Sequence, residues 1–204
     1  MTSKTSKTYH HGELRENLIK AAITLINEKG ISDLSLRQLA RYVGVSHNAP
    51  YRHFETKQAL LMAVAEEGFI ALRESLEEAK IGSSEDARDQ LRAIGIAYVK
   101  FALTHPAHYR VMFGNYRDGC SESASLADVA EQSFMVLVNI IQKGQASGVF
   151  CESDSLNLAR VAWSFVHGQA MLTLDNRLKI ETEEDFNTFL EFSVQMLIQG
   201  IQSP

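Results

Sequence analysis

The sequence predicts an all-α protein of about nine helices, in which an N-terminal three-helix helix-turn-helix unit precedes a larger C-terminal helical bundle. Apolar residues recur at helical spacing along most of the chain, and strong β signals are absent. Only three prolines and twelve glycines interrupt 204 residues. At 45% hydrophobic residues, the chain can bury a substantial core.

Residues 1–12 hold Lys4, Lys7, His10 and His11, no acid, and many Ser and Thr. Such a segment is too polar to fold alone, and is either a basic arm lying along DNA or a frayed terminus. It has no signal-peptide apolar run, and no stretch of the chain reads as a membrane span of roughly 18 apolar residues. The first helix, about Glu13 to Lys29, aligns Leu14, Leu18, Ala22 and Leu25, and Gly30 stops it. Ser35 caps a second helix with Leu36, Leu39, Ala40 and Val43 on one face. Gly44 can take the left-handed backbone that breaks this helix, and Ser46 is placed to cap the next. The unit is therefore helix, tight turn, helix.

The short helix after Ser46 carries His47, Asn48, Tyr51, Arg52 and His53, with few apolar alternatives. Amide and guanidinium groups pair with base edges, while hydroxyl, imidazole and ammonium groups hold phosphates. Pro50 removes a backbone donor and disfavours α conformation at Ala49, so the helix starts irregularly or late. Charge agrees with a nucleic-acid partner. Up to Lys57 there are nine basic and five acidic residues, and beyond it eleven and twenty, so the overall −5 conceals a head of +4 on a body of −9.

Gly44-Val45-Ser46, Tyr51-Arg52-His53-Phe54 and Lys57-Gln58-Ala59-Leu60-Leu61, with the helix pair before them, resemble the DNA-binding domain of TetR-type regulators. The resemblance implies that His47, Asn48 and Ala49 face base edges and that Tyr51 contacts bases or backbone. It also implies that Arg37, His53 and Lys57 hold phosphates. Ser35, Ser46 and Arg52 complete the candidate DNA-binding set, and Phe54 is expected in the core. The domains are then the arm, residues 1–12; the DNA-binding unit, 13–57; and a ligand-binding and dimerisation unit, 58–204.

A long helix, about Lys57 to Lys80, turns Leu61, Val64, Ala65, Gly68, Leu72 and Leu76 inward and joins the two units. After Gly82-Ser83-Ser84, a helix over about 85–104 aligns Leu91, Ile94, Tyr98, Phe101 and Ala102, until His105-Pro106 ends it. A short helix then carries Tyr109, Met112 and Phe113, followed by a polar loop near 115–123. The next helix, about 126–147, presents Val129, Ser133, Val136, Leu137, Ile140 and Ile141, and Gly148 closes it.

The last two helices, about 154–178 and 183–202, are apolar nearly all round. Such helices need burial on two sides, and a partner subunit supplies the second. Val161, Phe165, Leu172, Phe189, Phe192 and Met196 are the candidate interface. In the family resembled, the last two helices of each subunit form a four-helix dimer contact, matching a palindromic operator. Trp163-Ser-Phe-Val-His167-Gly168 and the run His105 to Phe113 further resemble the branch with a Trp-His-Gly signature in its C-terminal domain. That resemblance implies a small-molecule effector among the body helices. Phe69, Tyr98, Phe101, Met112, Phe113, Phe134, Trp163, His167 and Met171 are the candidate ligand-binding residues for an apolar or amphipathic effector. The same residues would also fill an ordinary core, leaving open a DNA-binding regulator with a packed core, acting as an activator or through a protein partner.

No enzyme is expected: the chain lacks a glycine-rich phosphate loop after a strand, H-E-x-x-H, G-x-S-x-G and a Cys/His ligand cluster. His105 and His108 make a poor metal pair, because Pro106 lies between them and no third ligand is near in sequence. No cofactor is expected. Cys120 and Cys151 lack a C-x-x-C partner and read as reduced cytoplasmic thiols.

Overall fold

A computed structural model describes residues 11–114 and 124–203. Eight α-helices and one 3-10 turn occur there: α1 (His11–Lys29), α2 (Leu36–Val43), the turn Pro50–Arg52, α3 (Lys57–Ile81), α4 (Ala87–Thr104), α5 (Pro106–Phe113), α6 (Ala124–Ala146), α7 (Ser155–Leu174) and α8 (Glu183–Ile201). The first ten residues of the basic arm, and the polar loop with Cys120, lie outside the described residues.

Local chemistry sets most helix starts. Ser35, Thr56, Asp86, Asp154 and Thr182 each accept a bond from a backbone N–H in the first turn of the helix they precede, satisfying one of its otherwise orphaned donors. Stops are equally local. Gly44 has φ 78°, and its N–H and that of Val45 both reach the carbonyl of Ala40, at 3.0 and 2.9 Å. α7 ends at Leu174, earlier than the expected Leu178, because Asp175 and Asn176 turn the chain and Asn176 takes φ 52°.

The largest departure is in the unit's second helix. From His47 to His53 the chain forms successive turns, not an α-helix. Ala49 N–H donates to the carbonyl of Ser46 at 3.0 Å, and both His53 and Phe54 N–H donate to that of Pro50. The 3-10 turn has no side-chain cap, so Ser46 does not cap it as expected. Pro50 contributes by supplying no N–H, but Ala49 before it takes φ −61° and ψ −45°, the α conformation that the proline is expected to disfavour there.

One continuous apolar core joins head and body. α3 is its axis, packing on α6, α4 and α5, while α4 packs on α7, α6 and α8. α1 rests on α2, α3 and α5, so the head meets the body through α3 and α5 together. An antiparallel bridge between Phe150 and Gln202 ties the α6–α7 connection to the end of α8. α6 is long and apolar enough to cross a membrane. Its Leu126, Ser133, Leu137, Ile140 and Ile141 are nevertheless buried in the bundle.

Candidate nucleic-acid interface and internal cavity

The head exposes a polar face by anchoring the residues between its polar groups. Pro50 and Phe54 are buried, and the Arg15 guanidinium of α1 lies over the Phe54 ring, 5.4 Å from its centroid. With those two positions held inward, His47, Asn48, Tyr51 and Arg52 point outward, and Ala49 and His53 are half-buried. Arg37 and Arg41 of α2 join His47, Asn48 and Tyr51 around an open cleft of about 610 Å³ with no acidic residue in its wall. Tyr51 is 45% exposed, which fits a groove-facing ring better than a core residue.

Two expected contact residues, Ser35 and Lys57, have other local settings, while Ser46 stays open. Ser35 holds the start of α2, with Gln38 N–H 3.2 Å from its hydroxyl. Ser46 is exposed before the turns. Lys57 donates from Nζ to the carbonyls of Ile31 and Ser32, at 2.5 and 3.2 Å, bracing the loop between α1 and α2 against α3. Burial lowers its pKa, and nearby Asp33 partly opposes this.

Inside the body, α3 to α8 surround a cavity of about 340 Å³. Phe69, Tyr98, Met112, Phe113, Phe134 and Trp163, six of the nine expected ligand-binding residues, line it. Phe101 instead stacks on His105 toward an outer cleft between α3 and α4, with ring centroids 4.6 Å apart. Met171 packs on the core away from the cavity. His167 sits behind the wall in a polar cluster. Trp163 Nε1–H donates to the Tyr98 hydroxyl at 3.0 Å, and the Tyr98 and Tyr109 hydroxyls lie 3.1 Å apart. His167 Nδ1 is 3.0 Å from the first hydroxyl and 2.7 Å from the second.

Burial dictates the charge state of this cluster. It pushes Tyr98 up to about 12 and raises Tyr109 further, with Tyr98 itself adding to the second shift. It lowers His167. Two protonated phenols and a neutral imidazole result, with Nδ1 as acceptor and the tautomer assigned from its neighbours. The cavity wall on this side is thus apolar except for a hydrogen-bonded patch at Tyr98.

Two family models match consecutive parts of the chain. That for bacterial regulatory proteins of the tetR family covers residues 18–64, and that for the tetracyclin repressor-like C-terminal domain covers residues 91–197. The chain belongs to the tetR family. An uncharacterised HTH-type transcriptional regulator of Bacillus subtilis, YobS, is 24% identical over 190 residues, 93% of either chain. A solved structure of a Rhodococcus protein of unknown function is 34% identical, with a TM-score of 0.83 over 97% of this chain and 100% of that one. A tetR-family regulatory protein of the same genus superposes with a TM-score of 0.76 at 24% identity, covering 98% of this chain and 100% of that one.

This TetR-family protein is therefore a DNA-binding transcriptional regulator. Its fold brings forward residues that the sequence does not single out. Arg41 follows Arg37 by four positions on α2, and that spacing places both on one face. Tyr42 is also exposed. Tyr109, one apolar helix position among several in the run His105 to Phe113, joins the polar cluster through its hydroxyl. Arg160, which the sequence leaves unremarked, lines the cavity together with Ser133, which is expected only to face the interior. Far from the head, Val161, Phe165 and Leu172 of α7 and Phe192 and Met196 of α8 are exposed, while Phe189 is half-buried. Among the described residues, no group of three or more His, Cys, Asp or Glu side chains is placed to hold a metal ion.

Proposed function

We propose that this regulator is a cytoplasmic repressor that binds a palindromic operator as a homodimer and is released by a small apolar or amphipathic effector. The observation that carries the reading is the route from cavity to head. Met112 and Phe113 of α5 line the cavity, and α5 also packs against α1. A ligand that displaces α5 or α3 therefore moves the base of the helix-turn-helix unit, and the two heads of a dimer no longer match their half-sites. The division at residues 13–57 and 58–204 fits this, since α3 starts in the first unit and runs through the second. The Trp163, His167 and Gly168 signature belongs to the same proposal as a finer branch assignment.

In the head, His47, Asn48 and Tyr51 read base edges, with Ala49 as an apolar contact, while Arg37, Arg41, Arg52 and His53 hold phosphates. Lys57 keeps its ammonium on the α1–α2 loop. The dimer forms through the exposed apolar stripe of α7 and α8. A Cβ added at Gly168 or Gly200, on the same two helices, would meet nothing within 4 Å, which leaves room for a partner helix to approach.

Selection of bound duplexes from a random DNA pool tests the reading. A two-fold symmetric consensus is expected, with half-sites spaced by about one helical turn or a multiple of it. Enrichment of an asymmetric site, or binding that vanishes with salt and enriches nothing, would reject the dimeric operator reader.

A further inference from the structure

Arg160 is the charged side chain among the residues that line the internal cavity. It is exposed, so it stands at the cavity's rim. Its guanidinium donates to Asn157 Oδ1 at 3.0 Å, a neutral acceptor, and it forms no ion pair among the described residues. Four of its five N–H donors are left for another acceptor. On the same face of α7, Trp163 follows one turn later and His167 one turn after that. At 1.5 Å per residue, Arg160 and the Tyr98–His167 cluster are about 10 Å apart along the helix.

Leu72, Leu76, Leu91, Ile94, Phe134 and Leu137 give the cavity an apolar lining, and the Ser133 hydroxyl among them donates to the carbonyl of Ala130 at 2.7 Å. At roughly 30 Å³ for each water-sized group, 340 Å³ holds on the order of ten non-hydrogen atoms.

From this arrangement we infer that the effector is an amphipathic anion, its carboxylate paired with Arg160 at the rim and its apolar body of about eight to ten carbons lying along Trp163 toward Tyr98. This rests on the proposal that the cavity is an effector site. A cation would meet Arg160 as a like charge. A neutral alcohol of equal length would gain the same burial but would lack the ion pair. Because the rim is wet, the preference for the anion should be modest, roughly threefold or more at low ionic strength, and should shrink as salt rises.

Trp163 is the single tryptophan of the chain and sits in the cavity wall, so its fluorescence reports occupancy directly. Decanoate, decanol and decyltrimethylammonium, each below its micellar range, would be titrated into the full-length protein and into Arg160→Gln. The expected result is tighter binding of decanoate than of the other two, with the advantage over decanol lost in Arg160→Gln while decanol affinity stays unchanged. Because Arg160 is exposed, the variant should fold, and unchanged decanol binding confirms it. Equal binding of decanoate and decanol, or tighter binding of the ammonium, would overturn the anion assignment while leaving an effector cavity in place. Decanoate preference that persists in Arg160→Gln would overturn the role of Arg160. Failure of all three probes to alter Trp163 emission would overturn both the anion assignment and the cavity reading on which it rests.

Discussion

At the residue scale, Lys57 and Arg37 separate two uses of a positive charge. The family resemblance implies phosphate contact for both, yet Lys57 is bonded to two backbone carbonyls of the α1–α2 loop, whereas Arg37 faces the open cleft. Lys57→Met should therefore lower stability by about 1 kcal/mol and leave the salt dependence of DNA binding unchanged. Arg37→Gln should leave stability alone and reduce the slope of log affinity against log salt by about 1. Urea unfolding and binding titrations across salt check both, and a shallower slope for Lys57→Met would restore it as a phosphate contact. His167 gives a second residue-scale expectation. Burial lowers its pKa from 6.5, so the folded state binds fewer protons there than the unfolded state as pH falls. The contribution of neutral His167 is present above about pH 6.5 and is lost as pH falls through the lower folded-state pKa. Thermal melts from about pH 8 to 5 should show a fall in stability below about 6.5, and it should be smaller in His167→Gln.

At the element scale, α3 and α5 are in close contact at Gly68. A Cβ there would lie 2.6 Å from Met112 Sδ and 3.2 Å from His108 Cβ. Met112 lines the cavity, so its sulfur can swing aside, but His108 Cβ is fixed to the α5 backbone and can give way only if the helix itself shifts. Gly68→Ala should therefore force the helices apart at about 1–3 kcal/mol, measurable by urea unfolding. Because Met112 also lines the cavity, the same change should weaken the response of DNA binding to an effector. Wild-type stability together with a wild-type response would remove this contact from the coupling route. Pairs such as Arg92–Glu191 at 2.7 Å and Arg110–Asp175 at 3.2 Å also cross between elements, but both are half-exposed and contribute little.

At the scale of the whole molecule, the apolar stripe on α7 and α8 is what the isolated chain leaves incomplete. Phe192 is 62% exposed and Val161 57%, on helices whose opposite faces are already buried. Placing a charge there should not disturb the monomer core, but it would put an unpaired charge into the proposed dimer contact. Phe192→Glu should thus shift sedimentation from dimer to monomer and weaken binding to a palindrome far more than binding to a half-site, with helical content retained. A dimer that survives both Phe192→Glu and Val161→Arg would place the interface elsewhere.

The sequence by itself determined the all-α class, the positions of most helices and the resemblance to the tetR family, because periodicity, caps and glycine stops act over a few residues. It also marked Phe54 as core and most of the exposed head residues, since polar groups crowded into seven positions have no apolar face to bury. Only the tertiary structure decided that Lys57 bonds to a loop 26 residues earlier, and that Arg41 shares the cleft with Arg37 and Tyr51. It likewise separated Phe113, which lines the cavity, from Phe101, which stacks on His105, although both occupy apolar helix positions. The gathering of Tyr98, Tyr109, Trp163 and His167 spans three helices. Such contacts depend on how helices cross and on which volume is left unfilled between them, and no spacing along the chain encodes either.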